Sequence, residues 1–245
     1  MARVLLEYPP PIIEPFLVTA HIFFISNYAI IDGTVYQVMD SIFYIAILIM
    51  SVVIHEVSHG FMAEYFGDKT ARFAGRLTLN PIQHLDPFGS IILPAILVLS
   101  HAPFLFGWAR PVPYNPDNLS DKKWGTVAVA AAGVLANFFI AFIFGILMRF
   151  IPDFNLSVSQ SESLYFITSI IVITNLALGV FNLIPIPPLD GSKILFSLLP
   201  ASFYPVLIFI EQYSLIFLLI FIMFFASVLS PIVAFLFTLT TGLAF

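Results

Sequence analysis

The chain has 245 residues, of which 60% are hydrophobic and only 9% charged, with 9 Lys and Arg against 14 Asp and Glu. Soluble domains carry about 25% charged residues, so a chain this poor in charge lacks the polar surface to face water on all sides and belongs mostly in lipid. It has no cysteine, which excludes disulfides, thiolate metal sites and cysteine nucleophiles, and it has no basic run suited to nucleic acid.

Residues 1–38 form an N-terminal apolar extension whose main run, 15–31, is interrupted by His21 and Asn27. Its early acids Glu7 and Glu14 and the prolines at 9–11 do not resemble a cleaved signal. A longer apolar run, 40–66, contains His55-Glu56-Val57-Ser58-His59. Residues 67–87 are polar and turn-rich, with Lys69, Arg72 and Arg76. Residues 88–106 are apolar but hold Pro94 and Pro103, and 107–123 are polar again, with Arg110, Lys122 and Lys123. A full crossing by 88–106 would put those two basic clusters on opposite sides of the membrane, against the positive-inside rule. A re-entrant hairpin turning near His101 puts both on the cytoplasmic side, and its broken backbone is tolerated where protein buries it. Residues 124–150 and 162–184 are long enough to span, and 201–226 and 228–245 supply further apolar helix. The expectation is an all-α polytopic membrane protein of about 5–6 transmembrane helices with one re-entrant segment. Short strand pieces are expected at Ala74–Leu79 and Trp108–Pro113, either of which could hold an unwound substrate by strand addition.

The chemistry lies in HExxH. Positions i and i+4 of a helix lie one above the other, so His55 and His59 can grip one zinc while Glu56 reaches the zinc-bound water. The alternative is polar residues bonded to neighbours at a helix end. Ionisable groups directly after the apolar stretch Ile42–Ile54 are costly and favour the functional reading. A catalytic zinc takes three protein ligands. Asp190 is the candidate third, because it follows a spanning helix broken by Pro185, Pro187 and Pro188, with Gly191 permitting a tight turn beside it. Zinc, one carboxylate and one hydroxide sum to zero charge, which a low-dielectric site favours. A plain turn or helix-cap role for Asp190 is the competing reading. His84 and Asp86, in a proline-rich loop, read as structural rather than as ligands. His21 and His101 have no partner at ligand spacing. Asn137 lies in a small-residue helix, where its amide could serve a developing oxyanion or make an interhelical hydrogen bond; both stay open.

At these motifs the chain resembles the site-2 protease family of intramembrane zinc metalloproteases, peptidase family M50. HEVSHG at 55–60 and NLIPIPPLDG at 182–191 match its two signatures, and the loops at 67–89 and 106–116 look like the compact branch without a PDZ domain. The likeness covers about residues 40–200, giving a catalytic core at 39–200 and C-terminal transmembrane helices at 201–245. The central-helix signature usually reads like AGPLAN; here it is Ala132-Gly133-Val134-Leu135-Ala136-Asn137, with Val134 in place of proline. The resemblance implies one zinc per chain held by His55, His59 and Asp190, with Glu56 as general base. The expected substrates are single-span membrane proteins in a lipid bilayer; the apolar runs make the protein multi-pass, and the basic clusters put the active site toward the cytoplasm. The rivals are a membrane metalloprotease with a glutamate third ligand, from Glu64, Glu162 or Glu211, and a non-proteolytic zinc-binding protein or transporter.

Overall fold

A computed structural model describes residues 36–93, 96, 99–100 and 109–245. The N-terminal run with His21, and His101, lie outside the described residues. The helices that organise the fold are α1 Tyr36–Tyr65, α2 Lys122–Phe150, α3 Val158–Asn182, α4 Asp190–Leu198, α5 Tyr204–Gln212, α6 Ser214–Phe225 and α7 Leu229–Thr241. Among the described residues three helical segments are long and apolar enough to cross a membrane: Phe43–Tyr65, Lys122–Asp153 and Val158–Asn182. The apolar helix expected at 201–226 is bent by 70° between Gln212 and Ser214, and counts as a fourth span only if the bent pair crosses together. The polar run Glu211-Gln212-Tyr213-Ser214 sits at the break. The 5–6 spans expected are therefore three or four among the described residues.

Helix α2 is central and packs against α1, α3, α4 and α7. Its small residues make this possible. Gly125, Ala130, Ala132, Gly133, Ala141 and Gly145 are all buried on it, so neighbouring backbones come close. At Gly145 an added Cβ would stand 2.9 Å from Thr240 Cβ of α7. Arg149, in the last turn of α2, donates to the carbonyls of Leu239 and Thr240, which tie the free C-terminal end of α7 to α2. Asp121 caps α2 by accepting from the Trp124 N–H. Helix α3 starts at Val158, four residues before the expected span, because Ser157 and Gln160 form a capping box.

The polar loops gather on one side of the bundle. Leu85 and Ala109 form an antiparallel bridge, the Arg110 N–H donates to His84 O at 2.8 Å, and Arg76 Nη2 donates to Arg110 O at 2.6 Å. The chain thus returns at Ala109 to the point it left at Leu85. Arg76 and Arg110, one from each basic cluster, meet there. Asp68 fastens the loops further: it is buried and accepts from the N–H groups of Thr70 and Asn115 and from Asn118 Nδ2. Burial alone would raise its carboxyl, but the hydrogen bonds from Asn118, Thr70 and Asn115 outweigh that and hold it below the usual carboxylate range.

No strand forms among the described residues, and the bridge at Leu85 and Ala109 is what exists of the expected strand pieces. In Ala74–Leu79 the N–H groups of Ala74, Gly75 and Arg76 close turns back onto Thr70, Arg72 and Ala71 instead of pairing sideways. In the second piece the Arg110 and Val112 N–H groups are already bonded, to His84 O and to Glu56, and Pro111 and Pro113 have none. A substrate strand laid there would find no free donor between Arg110 and Pro113. Trp108 lies outside the described residues.

Candidate active site

His55, Glu56 and His59 stand on the span Phe43–Tyr65, and all three are buried. His55 lies about 18 Å along the helix from Phe43 and about 15 Å from Tyr65 at 1.5 Å rise per residue, so the site is near mid-span. Asp190 arrives from the far side of the chain as the first residue of α4. Helix α3 ends at Asn182 because Pro185, Pro187 and Pro188 cannot continue its hydrogen-bond ladder. The chain then doubles back so tightly that a Cβ on Gly191 would sit 2.6 Å from Ile184 O and closer still to Leu183 O. Only glycine lets the bend fold onto itself there, and the bend is what delivers Asp190.

The donor atoms converge. Asp190 Oδ2 is 3.0 Å from His55 Nε2 and 3.1 Å from His59 Nε2, and the two Nε2 atoms are 3.0 Å apart. Among the described residues, His55, His59 and Asp190 form the one group of three such side chains able to hold a metal. Tetrahedral donors about 2.0–2.1 Å from zinc stand roughly 3.3–3.4 Å from each other, close to this spacing.

The other ring nitrogens are committed. His59 Nδ1 lies 2.7 Å from Val129 O, which can only accept, so Nδ1 carries the proton. His55 Nδ1 lies 2.6 Å from Asn137 Oδ1. The Asn137 amide is oriented by its own donations to Asn175 Oδ1 at 2.8 Å and Ser51 O at 3.4 Å. Both Nε2 lone pairs therefore face inward, onto a carboxylate whose two oxygens are buried without a hydrogen-bond partner. Two imidazole lone pairs and a carboxylate aimed at one point repel each other unless a cation sits between them. The donor set thus fits zinc, and it has the supporting bonds that fix ligand tautomers in metal sites.

Glu56 is not one of the three donors. Its Oε2 accepts the Val112 N–H at 3.0 Å, so the loop segment Ala109–Val112 fixes its carboxylate beside the cluster. Gly133 faces the cluster from α2: a Cβ there would fall 2.6 Å from His55 Cε1 and from His59 Nε2. A narrow cavity opens at the cluster, lined by Glu56, His59, Val112, Tyr114, Asp190 and Lys193 among others.

Several sequence expectations resolve here. The amide of Asn137 is fully buried and used up by Asn175, Ser51 and His55, which answers to the interhelical hydrogen bond and leaves it no donor for an oxyanion. His84 donates from Nε2 to Thr78 O and stays outside the donor group, and Asp86 caps the turn at Phe88 and Gly89. Glu64 pairs with Arg72 at the surface. Ser51 and Asn175 were not singled out for the site, yet Asn175 Nδ2 donates to Ser51 Oγ at 2.9 Å and completes the chain that orients His55. The legible signals were an Asn in mid-span and a Ser four residues before His55. If Asn137 orients the imidazole, Asn137→Ala weakens zinc affinity by about 10–100-fold, and activity returns at saturating zinc. A variant with full zinc affinity and a large loss in kcat would restore the oxyanion role. Metal titration alongside turnover separates the two.

The sequence matches the model for peptidase family M50 over residues 43–157 and 151–225. It is 38% identical over 195 residues to YwhC of Bacillus subtilis, a zinc metalloprotease by name, with 78% of this chain and 85% of the relative covered. Rip2 of Mycolicibacterium smegmatis, also a zinc metalloprotease by name, is 31% identical over 58% of this chain and 52% of its own length. Zinc metalloprotease MJ0392 of Methanocaldococcus jannaschii is 27% identical over 75% of this chain and 42% of its own length. No solved structure matches the chain.

Proposed function

From the premise that the chain belongs to peptidase family M50 and is an integral membrane zinc metalloprotease, we propose that it is an intramembrane endopeptidase, cutting peptide bonds within or near the transmembrane segments of single-span proteins. In this reading His55, His59 and Asp190 hold the zinc and Glu56 is the general base. The observation that carries it is depth: His55, Glu56 and His59 are buried inside an apolar span, about 9–15 Å from its Tyr65 end and about 18–24 Å from its Phe43 end, where few substrates but membrane segments reach. The non-proteolytic transporter reading has less support, because the donors converge at one depth with a carboxylate base beside them.

When bound, zinc acidifies a water and polarises the scissile carbonyl. Glu56, held by the Val112 N–H, takes a proton from the attacking water and later gives it to the leaving amine nitrogen. Val129 and Asn137 keep both imidazoles in the tautomer that presents Nε2 inward. A substrate helix has every carbonyl bonded internally, so it must unwind locally before its backbone can enter the cavity. The basic clusters around Arg76 and Arg110, joined by their hydrogen bond, favour a site opening toward the cytoplasm.

The test is the position of the cut. The full chain is reconstituted in vesicles with a single-span substrate, and the fragments are measured by mass spectrometry. Cuts inside the apolar segment or at its edge, abolished by a zinc chelator, are expected. Cuts confined to the water-exposed tails would overturn the intramembrane reading and leave a membrane-anchored protease.

A further inference from the structure

An arginine is costly to bury, because its guanidinium stays charged and must give up its water. Arg76 is nonetheless only 5% exposed, in a loop outside the spans. Among the described residues no carboxylate forms an ion pair with it. Burial, helped by the Arg110 cation, holds the guanidinium below the ordinary arginine range, and the Glu56 carboxylate pulls the other way. What the side chain holds is a peptide carbonyl. Its Nη2 donates to Arg110 O at 2.6 Å, and such a charge-assisted bond is roughly twice as strong as a neutral one.

That bond clamps the segment on which Glu56 leans. Arg110 is held at both of its backbone groups: the N–H donates to His84 O at 2.8 Å, and the O accepts from Arg76. Both anchors come from one loop, which His84 closes by donating from Nε2 to Thr78 O at 2.9 Å. Pro111 comes next, and its ring fixes φ at about −65°. The following N–H is therefore aimed by the clamp. It is the Val112 N–H, which Glu56 Oε2 accepts at 3.0 Å. The unit also rests on α1 beside the site, where a Cβ on Gly60 would stand 2.5 Å from Leu77 Cδ2 and 2.8 Å from Val112 Cγ1. The residue after Arg76 and the residue bonded to Glu56 thus pack on the same glycine.

We infer that Arg76 is a positioning residue for the general base: by clamping Arg110 O it fixes the Val112 N–H, and through it the carboxylate of Glu56. The inference rests on the proteolytic reading above. Among the described residues Arg76 is not part of the cavity lining, so it acts through the segment and not on the substrate. Its loss leaves the base present but free to wander. A misplacement of about 1 Å in a reacting group can cost about 10²-fold in rate.

The experiment compares wild type, Arg76→Met and Arg76→Lys as full chains in vesicles, each also in a Glu56→Gln background. It reads kcat, KM, zinc per chain and amide hydrogen exchange over residues 110–114. Arg76→Met should lower kcat by about 10–10²-fold, with KM within about 3-fold and zinc per chain unchanged. In the Glu56→Gln background the same change should lower the residual turnover by less than about 3-fold, because the base it positions is already gone. Exchange should quicken at Val112 while α2 keeps its protection. Arg76→Lys, which still donates to Arg110 O, should recover most of kcat. Equal losses in both backgrounds, lost zinc, a change confined to KM, or unaltered exchange at Val112 would overturn the inference and leave Arg76 a tie between loops. Where Arg76→Met does not fold, Pro111→Gly, which frees the backbone between the clamp and Val112, carries the same expectations. A wild type that binds zinc and cuts no membrane segment would instead sink the proteolytic reading, and this inference with it.

Discussion

Replacing Glu56 by glutamine should lower turnover by about 10³-fold or more while leaving bound zinc unchanged, within the range that general acid–base groups contribute. The separation follows from the geometry. Glu56 lies outside the donor group of His55, His59 and Asp190, so the metal does not depend on it. Its Oε2 accepts the Val112 N–H, and the carbonyl oxygen of a glutamine can accept the same bond, so the loop segment stays in place. The proton acceptor is all that is removed. Turnover on a single-span substrate, measured beside zinc content on the same preparation, checks this. A variant that kept most of its turnover would exclude Glu56 as the base. A variant that lost zinc would make Glu56 a ligand.

Asp190→Ala should be the most damaging change to the metal itself, with zinc affinity falling by more than about 100-fold, beyond the 10–100-fold typical of supporting groups. Asp190 is almost fully buried, neither of its oxygens has a hydrogen bond, and its polar contacts are to His55, His59 and, at 3.8 Å, Lys193. Charge makes the loss severe. Without the carboxylate, a doubly charged ion would rest on two neutral imidazoles in a low-dielectric site. Equilibrium dialysis against a zinc buffer measures the change. Retained zinc and retained cleavage would point to the rival with a glutamate ligand, although Glu64, the nearest in sequence, is paired with Arg72 at the surface.

Much of this was legible because two sequence signals report directly on geometry. Spacing of four on a helix puts His55 and His59 together whatever surrounds them, and a proline-broken helix followed by Asp190-Gly191 announces a bend. Long apolar runs likewise announce α2 and α3. Other features escape such reading for physical reasons. The bond from Val112 to Glu56 joins residues 56 apart, and no local pattern encodes it. The role of Asn137 depends on which neighbours take its amide, and those neighbours, Ser51 and Asn175, lie on two other helices. No strand forms at Ala74–Leu79 among the described residues, where the N–H groups of Ala74, Gly75 and Arg76 go to local turns. The start of α3 was readable: Ser157 and Gln160 have capping-box spacing, and polarity drew the boundary too late.

The central claim is the identity of the three zinc donors. X-ray absorption at the zinc edge of the purified full chain, wild type beside His84→Ala and Asp190→Ala, tests it most directly. The wild-type spectrum should fit two imidazoles and light oxygen donors about 2.0–2.1 Å from the metal, be unaltered by His84→Ala, and be lost or reordered by Asp190→Ala. A third imidazole in the wild type, or a spectrum indifferent to Asp190, would contradict it.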